Sequence, residues 1–210
     1  MKINSEPVRR GRPRDPERIS KVIDAAASQF LNSGFERTSM DGIAHASGVS
    51  KVTIYRYFPT KSSLFEAVIG QQTDQVFDGL SSVNLDPKDP QTALTIIGER
   101  FLRLKRLDSV IGTFRAMYSA GAQQRDASIA FFRQGPEKLV RQVAAYLQAA
   151  DQAGGLSVAD PETAADQFLS LFLGMSHIKT MLGLGKPSQK EDRRLVAENV
   201  ALFFKAYSPK

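Results

Sequence analysis

Apolar residues recur at spacings of three and four along almost the whole chain, and Asp-Pro, Gly and Pro punctuation cuts that pattern into helix-length pieces. This excludes a sheet architecture, because no run alternates with period two for a useful length. Asp-Pro occurs at 15–16, 86–87, 89–90 and 160–161. An Asp carboxylate accepts from a free first-turn amide, and Pro suits the next position because its missing N–H would have no partner there. Three of these pairs lead into helix-period patterns. Helices are predicted over 16–32, from Ser39 to Gly48, from Ser50 to Phe58, and from Thr60 towards Leu80. Further helices are predicted at 91–106, 108–122, 127–153, 161–183 and 189–207. The long 127–153 segment is expected to kink or break at Gly135-Pro136, and 83–90 reads as a loop. The fold class is all-α, with no internal repeat.

The charge is unevenly placed. Residues 1–65 hold 11 Lys and Arg against 6 Asp and Glu, a surplus of +5; residues 66–210 hold 17 against 16, a surplus of +1. Such a footprint suits a polyanion or an anionic membrane surface, against the plainer reading of a solubilising tail. The basic arm lacks aromatics and an amphipathic pattern, so insertion into a membrane is not expected. The apolar stretch 168–184 is broken by Gly174, His177 and Lys179 and reads as a buried helix rather than a span. The polar N-terminus is no secretory signal. Cysteine is absent and there are two histidines, His45 and His177. No nucleophile elbow, phosphate-binding Gly loop or metal-ligand cluster is present, and no carboxylate pair stands out. An enzyme, a cofactor and a metal are therefore not expected.

The most specific signal lies at 38–58. Two short helices meet at a tight turn, Gly48-Val49. Ile43, Ala44, Val49, Ile54 and Phe58 face inward against the first helix, and Lys51, Val52, Thr53, Tyr55, Arg56 and Tyr57 are left across the outer side. An apolar back with a polar and aromatic front is what a DNA recognition helix requires. Contact with DNA is expected more of Tyr57 than of Tyr55.

The run Gly-Val-Ser-Lys-Val-Thr-Ile-Tyr-Arg-Tyr-Phe-Pro-Thr-Lys-Ser-Ser-Leu-Phe at 48–65 resembles the TetR/AcrR family of bacterial repressors. Phe-Phe-Arg-Gln-Gly-Pro-Glu at 131–137 and Asp-Pro-Glu-Thr-Ala-Ala-Asp-Gln-Phe-Leu at 160–169 are similar to the C-terminal domain of AefR-like members. The resemblance implies three N-terminal helices for DNA and a larger helical domain for ligand and dimer contacts. The corresponding division is a flexible basic arm (1–14), a helix-turn-helix domain (15–65) and a ligand-binding and dimerisation domain (66–210). It further implies that Ser50, Lys51, Val52, Thr53, Tyr55 and Tyr57 lie in or beside the major groove of a double-stranded operator, and that Thr38, Ser39 and Lys61 touch phosphate. Met40 and Asp41 depart from the pattern. Arg9, Arg10, Arg12 and Arg14 form an arm suited to a narrow minor groove.

The rest of the chain reads as the other half of a cytoplasmic bacterial regulator. Helix 161–183 is apolar nearly all round, and 189–207 shows a stripe of Val196, Val200, Phe203, Phe204 and Tyr207. These serve a homodimer interface, an intrachain core, or both. Phe101, Leu104, Phe114, Met117, Tyr118, Phe131, Phe132, Met175, His177 and Met181 are candidates to line a pocket for a small apolar effector. His177 stands out as a polar group in an apolar helix, and a satisfied buried histidine is the first expectation for it.

Overall fold

The computed structural model describes residues 16–81, 85–120 and 125–209. The expected minor-groove arm, with Arg9, Arg10, Arg12 and Arg14, lies outside the described residues. Every regular element among them is a helix: α1 (Pro16–Arg37), α2 (Met40–Ser47), α3 (Lys51–Tyr57), α4 (Lys61–Ser81), α5 (Pro90–Arg106), α6 (Asp108–Ala120), α7 (Arg125–Gln134), α8 (Pro136–Gln152), α9 (Pro161–Ser170), α10 (Met175–Met181) and α11 (Gln189–Tyr207).

The punctuation works as its chemistry requires. The Asp89 and Asp160 side chains accept from the Thr92 and Thr163 amides, with Pro90 and Pro161 opening α5 and α9. Asp86 acts differently: its carboxylate accepts from the Lys88 amide and closes a turn. Ser188 and Glu191 cap α11 reciprocally. α1 carries a kink at Gly34, whose φ of 77° is open to glycine and costly for other residues. Between α7 and α8, a Cβ on Gly135 would stand 2.8 Å from the Phe131 carbonyl oxygen. The chain breaks there, and Pro136 begins α8.

The expected single helix over 161–183 is corrected to two. α9 ends at Ser170, and the Phe172 and Leu173 amides then bond to Leu169 and Ser170 in tighter turns. The Leu171 carbonyl accepts instead from Nδ2 of Asn199 on α11. Phe172 turns fully into the core, edge-on to Phe168 and Phe101 at 5.3 and 5.9 Å between centroids. That packing, with Gly174 extended, stops the helix before α10 begins. Arg115 then donates to the Met181 and Thr180 carbonyls and ties the end of α10 to α6.

Two apolar clusters organise the molecule. One joins α1–α4 around Ile43, Ile54, Leu64 and the mutually packed rings of Phe30, Phe35 and Phe65, and continues into α6 and α7 through Met117, Ala127 and Ala130. The other joins α5, α8, α9 and α11 around Leu94, Val143, Leu147 and Phe168. Val68 and Ile69, past residue 65, still belong to the first cluster, so α4 runs from one to the other without a break.

Candidate DNA interface and cavity

α2 and α3 are each fixed at both ends. The Ser39 hydroxyl accepts from the Gly42 amide, and Gly48 takes φ 67° to end α2. The Ser50 hydroxyl accepts from the Thr53 amide and lies 2.8 Å from the Thr53 hydroxyl. Ile43 and Ile54 are fully buried against α1, so α3 can turn only one face outward. Each helical residue advances about 100°. From Ile54, that places Val52 almost opposite, Tyr55 beyond a right angle and Tyr57 about 60° away. Val52 is accordingly 82% exposed and Tyr55 41% exposed, while Tyr57 is half-buried with its ring against the first cluster. Exposure thus ranks the two tyrosines opposite to the order expected for DNA contact, and the helical angle that does so is present in the sequence. Arg56 is exposed, with its guanidinium 5.1 Å from the Tyr57 ring centroid and a hydrogen bond to the Tyr57 hydroxyl. Asp41, the departure in α2, bonds the Lys51 ammonium at 2.6 Å and holds its pKa above the ordinary range. It therefore joins the two helices across the turn.

Two of the expected phosphate ligands are used inside the fold. Thr38 is buried, and its hydroxyl donates to the Gly34 carbonyl at 2.8 Å, so its side chain is not free for phosphate. The Lys61 ammonium donates to the Glu36 and Thr38 carbonyls and stands 4.5 Å from the Phe35 ring centroid. Two of its three N–H groups are thereby engaged and one remains. Ser39 and Ser50 stay at the surface.

A cavity of about 970 Å³ lies among α4–α9 and reaches the start of α10. Phe101, Leu104, Phe114 and Met117 line it, as do Tyr118, Phe131, Phe132 and His177. Tyr118 and Phe132 are exposed, so the cavity opens at their side. Met175 and Met181 are corrected: neither lines it, and Met175 is 70% exposed, because the break after α9 swings α10 outward. His177 lines the cavity as expected, but the expectation of a satisfied buried histidine is corrected. Its Nδ1 is buried without a partner, and burial together with the charges of Lys105 and Arg106 pushes its pKa down to about 4. Lys105 was missed. It follows Phe101 by four positions, and that spacing alone assigns it to the same face.

The stripe of α11 faces the chain's own core: Val196, Val200 and Phe203 are buried within the second cluster. On α10 and its flanks, Leu173, Met175, Ile178, Leu182 and Leu184 remain exposed. Among the described residues there is no group of side chains suited to hold a metal, and no helix is long and apolar enough to cross a membrane.

A three-helix head whose third helix faces outward, joined to a larger helical body, is the architecture of a helix-turn-helix DNA-binding regulator. Residues 22–68 match the family model for bacterial regulatory proteins of the tetR family, and residues 92–209 match the C-terminal domain of AefR-like transcriptional repressors. The chain belongs to the TetR family of transcription regulators. The solved structure of the flavonoid-responsive regulator FrrA superposes with a TM-score of 0.72 at 31% identity, covering 93% of this chain and 100% of that one. The transcriptional activator FasR of Mycolicibacterium smegmatis is 33% identical over 97 residues, 46% of this chain and 44% of FasR. The regulator EthR of the same species is 27% identical over 180 residues, 83% of this chain and 77% of EthR. The chain spans less than half the length of the curated relatives it matches first.

Proposed function

We propose that this chain is a homodimeric repressor that holds a near-palindromic operator and releases it when a small molecule enters the cavity. Residues 15–65 then serve as the DNA-reading head and residues 66–210 as the sensing and dimerising body. The observation that carries the reading is α3, with Ile54 fully buried behind it and Val52 at 82% exposure in front. In the groove, Ser50, Lys51, Thr53 and Tyr55 flank Val52, whose methyl groups suit a thymine methyl. Ser39 and the remaining N–H of Lys61 meet phosphate, and the arginine arm reaches the adjacent minor groove. Dimerisation is supported by the uncovered apolar residues of α10 and its flanks, with Leu202 exposed on α11. Repression is supported by the match of residues 92–209 to a repressor domain, and a small-molecule effector by the cavity and by the flavonoid response in FrrA's name. The effector must bind the released form better than the DNA-bound form.

The test is fluorescence anisotropy with the intergenic duplex upstream of the protein's own gene, with excess unrelated duplex and at two salt concentrations. Binding that survives competitor, at two protomers per site, is expected. Val52→Glu, which sets a carboxylate against the groove, should weaken it about tenfold or more. Binding that competitor and salt abolish together contradicts specific reading.

A further inference from the structure

The cavity is apolar over most of its wall, but the region around Lys105 is cationic. Lys105, in the last turn of α5, is 6% exposed. Its ammonium nitrogen stands 3.5 Å from the Phe114 ring centroid and 6.0 Å from that of Phe101. Both rings line the cavity with it. Among the described residues it has no carboxylate and no hydrogen-bond acceptor as partner. A ring face compensates only part of what an ammonium loses on leaving water. Burial and the neighbouring Arg106 charge lower its pKa to about 8, so it is mostly protonated at pH 7.

The surroundings do not neutralise that charge. Arg106 has its own counter-ion: Nε and Nη2 donate to Asp192, while Nη1 is buried without a partner. Glu137, a carboxylate on the cavity wall, is held by Arg141. Asp166, the other lining carboxylate, is exposed on α9 and makes no ion pair among the described residues. His177, neutral and with Nδ1 unpartnered, lies near enough to both cations to feel them. A buried ammonium and an imidazole whose Nδ1 is buried, both lacking a partner and both bordering one apolar cavity, form half of a site.

We propose that the cavity takes an amphiphilic monocarboxylate, with its apolar body against Phe101, Phe114 and Leu139 and its carboxylate on the Lys105 ammonium, where His177 donates a second hydrogen bond. This rests on the reading of the cavity as the effector site and names the effector's class. A carboxylate fits better than a phenol because it is ionised at neutral pH, whereas an ordinary phenol titrates near pH 10. The charge-assisted bond forms away from bulk water, where such bonds are strongest.

Calorimetry at pH 7 with decanoate and decanol, without DNA, tests this on the full chain and on its Lys105→Met and Lys105→Arg variants. The unaltered protein should bind decanoate about tenfold or more tighter than decanol. Lys105→Met should lose that preference while holding decanol within about twofold, and Lys105→Arg should keep most of it. Equal affinity for the two probes, no binding of either, or a Lys105→Met variant with undiminished decanoate affinity would overturn the proposal. The melting temperature of each variant shows that it is folded. Operator release is measured separately. Decanoate that binds through Lys105 yet leaves DNA affinity unchanged sinks the effector reading and keeps the anion site.

Discussion

At the scale of single residues, Lys105 is a buried ammonium whose charge costs stability. Its charged form is disfavoured by burial, so the folded chain binds its proton less readily than the unfolded chain does. As pH falls from Lys105's ordinary range towards about 8, the unfolded state gains a proton that the folded state does not, and stability declines. Below about 8 the full loss is present, on the order of 3 kcal/mol, offset in part by the contact with Phe114. Lys105→Met should therefore stabilise the empty protein at pH 7 by about 1–2 kcal/mol, an advantage that shrinks between pH 8 and 10.5. Thermal melts across that range read this directly, and a variant less stable at pH 7 would mean that the ammonium has a better partner than two rings. Residue positions on a helix face were largely legible in the sequence, since Ile54, Val52 and Phe101 fall where the angle puts them. Partners were not. Nothing in the order of residues shows that Thr38 and Lys61 spend their polar groups on the end of α1, or that His177 keeps an empty nitrogen.

At the scale of elements, ends are decided locally and breaks are decided by packing. The starts of α3, α5, α9 and α11 were legible because each carries its own capping chemistry in Ser50, Asp89, Asp160 and Ser188. The break between α9 and α10 was not, because its causes are distant in sequence: Asn199 takes the Leu171 carbonyl, and Phe172 turns into the rings of Phe101 and Phe168. The turn between α2 and α3 is a local case that can be priced. Gly48 sits at φ 67°, and a Cβ there would meet nothing within 4 Å. Gly48→Ala should therefore show backbone strain alone, about 1 kcal/mol of stability, and Gly48→Asn less. A denaturant titration of both checks it; a loss of several kcal/mol would point to a packing role for Gly48 that the structure does not contain.

At the scale of the whole molecule, α4 connects the first cluster to the cavity. Its first turns set Leu64 and Phe65 into the first cluster, Phe65 against Phe30 and Phe35 of α1, and its later turn at Ile69 and Thr73 lines the cavity. An occupant there would touch the helix whose first turns belong to the cluster behind α2 and α3. The all-helical class and the motif at 48–65 are legible in the sequence. The shape of the cavity, its cationic end and the uncovered apolar face around α10 emerge only when α5, α6 and α10 are brought together. If α3 reads DNA sequence and a dimer does so twice, selection by the protein from a pool of random duplexes will reveal it. The expected product is a near-palindrome whose half-sites are spaced by about 10 base pairs or a multiple of that, and Val52→Gln should shift the preferred base at its contact position. A pool that stays random while the protein still binds it in a salt-sensitive way would contradict the claim and leave only attraction to phosphate.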